Sequence, residues 1–356
     1  MEGHQHDLDR RCACFYSPGM TKRERVEAVI AGRRPDHPPV SFWHHFPPEQ
    51  AAGQAAVDAH LRFLDTYDQD FLKVMNDHQY PRGDVDVLRS VEDLRRIRAL
   101  PGDAAGFDGQ LDVLRRLRER LGPDVPACTT IFNAWALLRY FTQPPSDRHG
   151  PPRLDGATDD RDATLSRLLR EDRSAIRAAV EALSISLAGF ARACVEAGAD
   201  GVFLSVRDDW VNRPENGPDT YDEIVRPADL RILEAVRDAR FNVLHLCGRP
   251  QGFDRFAAYP HVQVLNWADR AAGPSIAEAI RLQARSASEK HPPALAAGVD
   301  NLDTLPNGTP VDCAGEVRDA LRQAGDRPIM IAAGCTFDPQ AVPPANLKAV
   351  VAAARE

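Results

Sequence analysis

Residues 187–209 read Leu187-Ala-Gly-Phe-Ala-Arg-Ala-Cys-Val-Glu-Ala-Gly-Ala-Asp-Gly-Val-Phe-Leu-Ser-Val-Arg-Asp-Asp209. The first eleven place apolar side chains at helical spacing, and Gly198 supplies the residue that most easily takes the left-handed conformation closing a helix. The run 201–206 that follows is too short for a helix and has no polar alternation, as expected of a strand buried on both faces. It ends abruptly in Arg207-Asp208-Asp209. Helix, short buried run and polar exit together make one unit of a parallel α/β sheet.

The same unit recurs on both sides. Downstream, buried-looking runs fall at 243–246, 262–266, 295–299 and 328–333, with helical sequence between them and a last helix over 345–353. Upstream, short apolar runs at 40–43, 71–75 and 125–131 alternate with helical patterns over 22–31, 54–67 and 111–121. Thr21 with Glu24 three residues on forms a capping box for the first of these helices. Residues 164–198 are helical throughout, as two helices or one bent one. Eight runs, each followed by a helix, predict a single (β/α)8 TIM barrel. An open doubly wound sheet is the competing fold, but the G-x-G-x-x-G turn that would mark one is missing. The barrel domain is expected over 20–356, behind a polar, loosely packed leader at 1–19. His4, His6, Cys12 and Cys14 in the leader read as an incidental tail. Residues 142–162, rich in Pro, Gly and Asp, read as a long loop.

Composition sets the limits. Of 356 residues 43% are hydrophobic, enough for a large core, and the net charge of −8 offers no electrostatic footprint for nucleic acid. No run approaches 18 apolar residues and no apolar signal core opens the chain, so neither a membrane span nor export is expected. A cytoplasmic chain keeps its seven cysteines reduced, and they are then buried, metal-bound or reactive.

In such a barrel, chemistry gathers where strands end and the following loops begin. These positions carry His44 and His45; Asn76, Asp77 and His78; Arg207, Asp208, Asp209 and Trp210; His245 and Cys247; Trp267 and Asp269; Asp300 and Asn301; and Cys335. His245 and Cys247 share one strand parity and so point the same way. Cys335 follows Gly334, whose missing side chain permits close backbone approach. Two thiolates and one imidazole suit Zn2+ and leave one position open. An H-x-C pair is equally what two buried core residues produce, since cysteine is among the most buried residue types. Cys128, Cys194 and Cys313 read as core. Asp208, Asp209 and Asp300 are candidate acid/base groups, or partners that orient His245. Arg207 and Arg249 are placed to grip an anionic substrate group. Trp43, Trp210 and Trp267 could wall an apolar pocket, and His44 and His78 stand at strand ends where substrate would lie.

With these residues set out, the chain resembles the uroporphyrinogen decarboxylase superfamily over nearly all of 20–356. Met20-Thr-Lys-Arg-Glu-Arg-Val-Glu-Ala followed by Arg34-Pro-Asp-His-Pro-Pro-Val looks like that family's first helix and strand. Glu196-Ala-Gly-Ala-Asp200, Ala297-Gly-Val-Asp300, Gly334-Cys335 and Pro343-Pro-Ala-Asn-Leu347 fit the same pattern. The decarboxylases proper carry an R-Q-A-G-R-Y stretch near the N-terminus; Phe42-Trp-His-His-Phe46 departs from it here. A second branch comprises zinc-dependent methyltransferases working with corrinoids, of the methylcobalamin:coenzyme M type. Their zinc motif, H-x-C with a distant Cys after Gly, is matched at His245, Cys247 and Cys335.

The resemblance implies a methyl transfer between a corrinoid and a small-molecule donor or acceptor: a thiol, or a methoxy or methylamine substrate. The corrinoid would be methylcobalamin, free or on a separate protein, because Asp147-Arg-His149-Gly150 resembles a D-x-H-x-x-G cobalamin motif but has Pro152 in the final glycine position. A homodimer is also an expectation of the resemblance. Two other classes compete. One is a metal-independent decarboxylase or other lyase working through the strand-end carboxylates. The other is a non-enzymatic module that binds a corrinoid or porphyrin.

Overall fold

The structure, a computed structural model, describes residues 19–145, 160–286 and 292–356. His4, His6, Cys12, Cys14 and the stretch 147–150 lie outside the described residues. Eight strands appear in chain order: β1 (Val40–Ser41), β2 (Leu72–Val74), β3 (Ala127–Phe132), β4 (Gly201–Val206), β5 (Val243–Leu246), β6 (Val264–Trp267), β7 (Ala294–Val299) and β8 (Met330–Ala333). They pair in parallel from β2 through to β8, and β8 pairs with β1. This is the (β/α)8 barrel that eight buried runs predict.

Local chemistry explains the helix ends. Thr21 caps Lys22–Ile30 with the full capping box. The long helical region divides at Asp172, whose carboxylate accepts from the Ala175 amide and starts Arg173–Glu196 after Asp160–Glu171 has ended. Arg173–Glu196 is, among the described residues, the one helix long and apolar enough to cross a membrane by length and composition. It is a core helix, burying Ile176, Val180, Leu183, Leu187 and Phe190 among others.

Alternation along the strands divides the core in two. One set of side chains meets the helices outside; the other fills the barrel interior with Trp43, Phe71, Phe203, Val243, Val264 and Met330. Above this interior floor the register sets Ser205, His245, Asn266 and Ala296 side by side across four neighbouring strands. That row is where the apolar filling gives way to polar groups.

The β1–β2 seam is closed differently. No ladder joins these strands among the described residues. Instead the Val40 amide donates to Asp70 Oδ2 at 2.9 Å and the Asp70 amide donates to the Val40 carbonyl at 2.8 Å. The Phe42 amide donates to Gln69 Oε1 at 2.6 Å, and Ser41 Oγ donates to the Phe71 carbonyl at 2.8 Å. Gln69 and Asp70 are fully buried, and Arg25 offsets the Asp70 charge at 3.1 Å.

Candidate metal centre

His245 sits on the interior face of β5, and Cys247 follows two residues later with the same parity. The chain then turns at Gly248, with φ of +70°; a Cβ there would lie 2.4 Å from Arg207 Nε. Glycine is therefore required twice over, by the backbone angle and by the guanidinium that passes across it. Cys335 reaches the same place from β8 by a bend. Strict alternation after Met330 and Ala332 would point residue 334 inward, but the strand ends at Ala333 and the chain bends at Gly334 and Cys335. A Cβ on Gly334 would come within 2.5 Å of Ala268 Cα.

The result is a three-donor cluster. The ligating atoms of His245, Cys247 and Cys335 all lie within 4.8 Å of one another, and His245 Nε2 is 3.4 Å from Cys335 Sγ. In a tetrahedron with Zn–N of about 2.0 Å and Zn–S of about 2.3 Å, donors stand roughly 3.5–3.8 Å apart. The cluster has that scale.

The histidine's tautomer follows from its neighbour. Asn266 Nδ2 donates to the Ala296 carbonyl at 2.8 Å and to the Ala333 carbonyl at 3.2 Å, which fixes the amide's orientation. Its Oδ1 therefore faces His245 Nδ1, 2.6 Å away, and can only accept. Nδ1 carries the proton, and Nε2 presents a bare lone pair to the thiols. This is the outer-sphere arrangement typical of a metal-ligating histidine.

Electrostatics polarise the two thiols. The hydrogen bond with Cys247, assisted by the Lys73 charge and by Thr336, pulls Cys335 down to about 6 against its burial. The same hydrogen bond, together with burial, pushes the Cys247 thiol up. One proton shared by the pair describes both directions. Lys73, on the interior face of β2, is buried with Nζ 4.0 Å from the Phe203 ring centroid and 5.3 Å from that of Trp43. Burial draws its ammonium down to about 8, partly offset by Cys335.

The cluster opens into a cavity of about 810 Å³, counted out to its mouth. Of the residues singled out in the sequence, His45, His245, Cys247, Cys335, Arg207 and Trp210 line it, joined by Lys73, Phe132, Asn133, Arg139 and Tyr140. Arg207 is clamped by Asp209 at 2.6 and 2.9 Å, and Arg139 by Asp162 at 2.6 Å. Both guanidinium groups stack on Trp210, at 4.2 and 3.9 Å. His45 Nδ1 meets Asp77 Oδ1 at 2.6 Å. Burial raises the Asp77 carboxyl, but the His45 hydrogen bond and charge win and hold it below the usual range.

The remaining sequence candidates stand elsewhere. Asp208 accepts from the Gln251 and Gly252 amides and from Arg255, at 3.0–3.3 Å; burial pushes it up to about 6. Asp209 is spent on Arg207. Asp300 accepts from the Leu302 and Asp303 amides in a local turn. None of these three carboxylates lines the cavity. His44 packs among Phe46, Phe63 and Phe337, and half-buried His78 packs against Gly109. Trp267 pairs in register with Leu246, faces the helices and donates to the Pro274 carbonyl at 2.8 Å. Arg249 is exposed. Cys128, Cys194 and Cys313 are buried apart from the cluster.

Lys73, Arg139 and Asn266 were not anticipated as site residues. Lys73 left a trace, one strong polar residue inside the otherwise apolar run 71–75, whereas Asn266 closes the run 262–266, which already holds Gln263.

Comparison with known proteins places this fold. The uroporphyrinogen decarboxylase (URO-D) family model matches residues 73–356. No curated protein sequence matches the chain. Among solved structures the chain is similar to a methyltransferase from Methanosarcina mazei, at 18% identity over 94% of this chain and 98% of that one, with a TM-score of 0.69. It also aligns with a B12-independent methionine synthase from Shewanella sp. W3-18-1, at 13% identity over 68% of this chain and 65% of that one, with a TM-score of 0.44. A putative vitamin-B12 independent methionine synthase from Listeria monocytogenes gives 13% identity, 69% and 68% coverage and a TM-score of 0.44. With the family pattern running from β2 to the C-terminus of an eight-stranded parallel barrel, the chain belongs to the uroporphyrinogen decarboxylase family.

Proposed function

We propose that the chain is a methyltransferase that holds a zinc ion on His245, Cys247 and Cys335. It moves a methyl group between a corrinoid, free or carried by a separate protein, and a thiol or a methoxy or methylamine substrate. One observation carries this reading: two thiols and a histidine nitrogen whose lone pair is left bare by Asn266 converge at the floor of the cavity. The donor set suits zinc in softness and number, with three protein ligands and a side open to a small molecule. Bound zinc would stabilise the anion of an entering thiol near neutral pH, or polarise an ether or amine substrate.

The chain's own residues do the rest. Asn266 holds the His245 ring in plane and in tautomer. The Arg139, Trp210 and Arg207 stack walls the cavity with a flat cationic surface. His45, held by Asp77, also lines the cavity. The cavity is lined for a small substrate, and the corrinoid would be met at the open end of the barrel. The described cysteines are all free thiols, in keeping with the reducing cytoplasmic setting we propose. The lyase alternative leans on Asp208, Asp209 and Asp300, whose oxygens are engaged locally outside the cavity.

Elemental analysis of the purified chain tests the reading. About one zinc per chain is expected, lost in Cys247→Ala and in Cys335→Ala. Methyl transfer from methylcobalamin to a panel of thiols, and from methoxy or methylamine compounds to cob(I)alamin, then gives the direction. Full zinc retention in both variants refutes it.

A further inference from the structure

The basic side chains of the cavity are not alike. Arg207 has Asp209, Arg139 has Asp162 and His45 has Asp77, each at 2.6 Å. Arg161 is also engaged. Lys73 differs: among the described residues its ammonium makes no hydrogen bond and no ion pair, though its residue is only 5% exposed. It rests on the Phe203 ring, facing the cavity that the two thiols also line. The charges that act on it are those of Cys335, Cys128, Asp77 and Cys247. Asp77 spends one oxygen on His45 and the other on the Phe46 amide, and burial pushes the Cys128 thiol up to about 12, so it stays neutral. That leaves the two thiols of the cluster to answer its charge, and an ammonium this buried is costly unless a negative charge does so.

Counting charge shows what it is for. Two thiolates and a neutral imidazole just cancel a divalent zinc ion, so the loaded centre is neutral and the Lys73 charge is left over. We propose that Lys73 is a specificity-determining residue: its ammonium is the counter-charge for a substrate that enters beside Cys247 and Cys335 as an anion. This inference rests on the zinc reading above and chooses among its substrates. A thiol entering as thiolate brings the missing negative charge: its S–H bond breaks, the electron pair stays on sulfur and the proton leaves to solvent. A methoxy compound brings no charge, and a methylammonium adds a like one. The cavity therefore favours the thiol.

Calorimetry on zinc-loaded wild type, Lys73→Met and Lys73→Arg tests the assignment, with 2-mercaptoethanol and its S-methyl ether as probes. Two buffers of different ionisation enthalpy count the protons released. All three proteins should carry full zinc. Wild type should bind the thiol with release of one proton. Lys73→Met should weaken the thiol at least about tenfold while moving the thioether less than about twofold, and Lys73→Arg should retain most of the thiol affinity. Equal thiol affinity in Lys73→Met, or equal weakening of both probes, overturns the assignment. If Lys73→Met does not fold, Lys73→Gln is read by the same criteria. On wild type alone, azide should bind at least about tenfold more tightly than neutral imidazole, and equal affinity also overturns the assignment. A wild type that takes up no zinc overturns the parent reading and this one with it. A zinc-replete wild type with an indifferent Lys73→Met overturns this one alone.

Discussion

Replacing Asn266 by alanine tests whether the centre is built from its second layer inward. Asn266 accepts from His245 Nδ1 at 2.6 Å and donates to the carbonyls of Ala296 and Ala333 at 2.8 and 3.2 Å, in a fully buried position. Alanine removes all three bonds at once. The imidazole then loses the partner that holds its proton on Nδ1, and its Nε2 lone pair is no longer fixed toward the thiols. Loss of such outer partners typically costs about 10–100-fold in metal affinity, or roughly 1.4–2.7 kcal/mol. The loss of three buried hydrogen bonds adds a folding cost on the order of 3 kcal/mol. Asn266→Asp separates these effects. It restores an acceptor to Nδ1 but not the two donors, so zinc affinity should return to within about threefold of wild type while the folding cost persists. Zinc dissociation constants from competition with a chromogenic chelator, with urea unfolding in parallel, read both quantities. A folded Asn266→Ala protein that binds zinc as tightly as wild type would refute the tautomer argument.

Two further outcomes follow from backbone and burial. Gly248→Ala forces a side chain onto φ of +70° and into 2.4 Å contact with Arg207 Nε, so it should destabilise by about 1–3 kcal/mol; an unchanged urea midpoint would contradict this. Asp229 is fully buried beneath Tyr221 and Tyr259, and burial pushes its carboxyl from 3.8 to about 7. The folded state therefore holds this proton more tightly than the unfolded state. The stability this contributes is complete below about pH 4 and is lost as pH rises through about 7, on the order of 4 kcal/mol at most. Asp229→Asn should flatten that decline between pH 4 and 7, and matching slopes in the two proteins would sink the idea.

The barrel was legible because each strand is buried on both faces and so appears as an uninterrupted apolar run between helices. Run 201–206 matches β4 residue for residue, as 243–246 matches β5. The site was less legible, for reasons of direction. Sequence gives a strand's end but not which way a residue beyond that end will turn. Cys335 reaches the cluster through a bend that alternation alone would not supply. Trp267 stands one position past Asn266 and faces the helices for that reason, although both sit at the end of β6. Asp208 and Asp300 were chosen as strand-end carboxylates, but a short acidic side chain next to free loop amides caps them before it reaches a cavity. Lys73 and Asn266 were hidden by the opposite bias. Each belongs to a run read as buried strand, where a polar residue is easily passed over although a buried polar group must have a partner or a purpose.

The seam between β1 and β2 lies at the start of the stretch that the family model matches. The matched stretch begins at residue 73, inside β2, so it spans seven of this chain's eight strands. The eighth, and the Gln69 and Asp70 side chains that tie it across, belong to the segment before it. A chain begun at residue 73 would be an open seven-stranded sheet with two raw edges, one on β2 and one on β8, each offering a row of unpaired amides and carbonyls to any passing strand. The first helix and strand are thus the clasp that keeps this protein from joining its neighbours edge to edge.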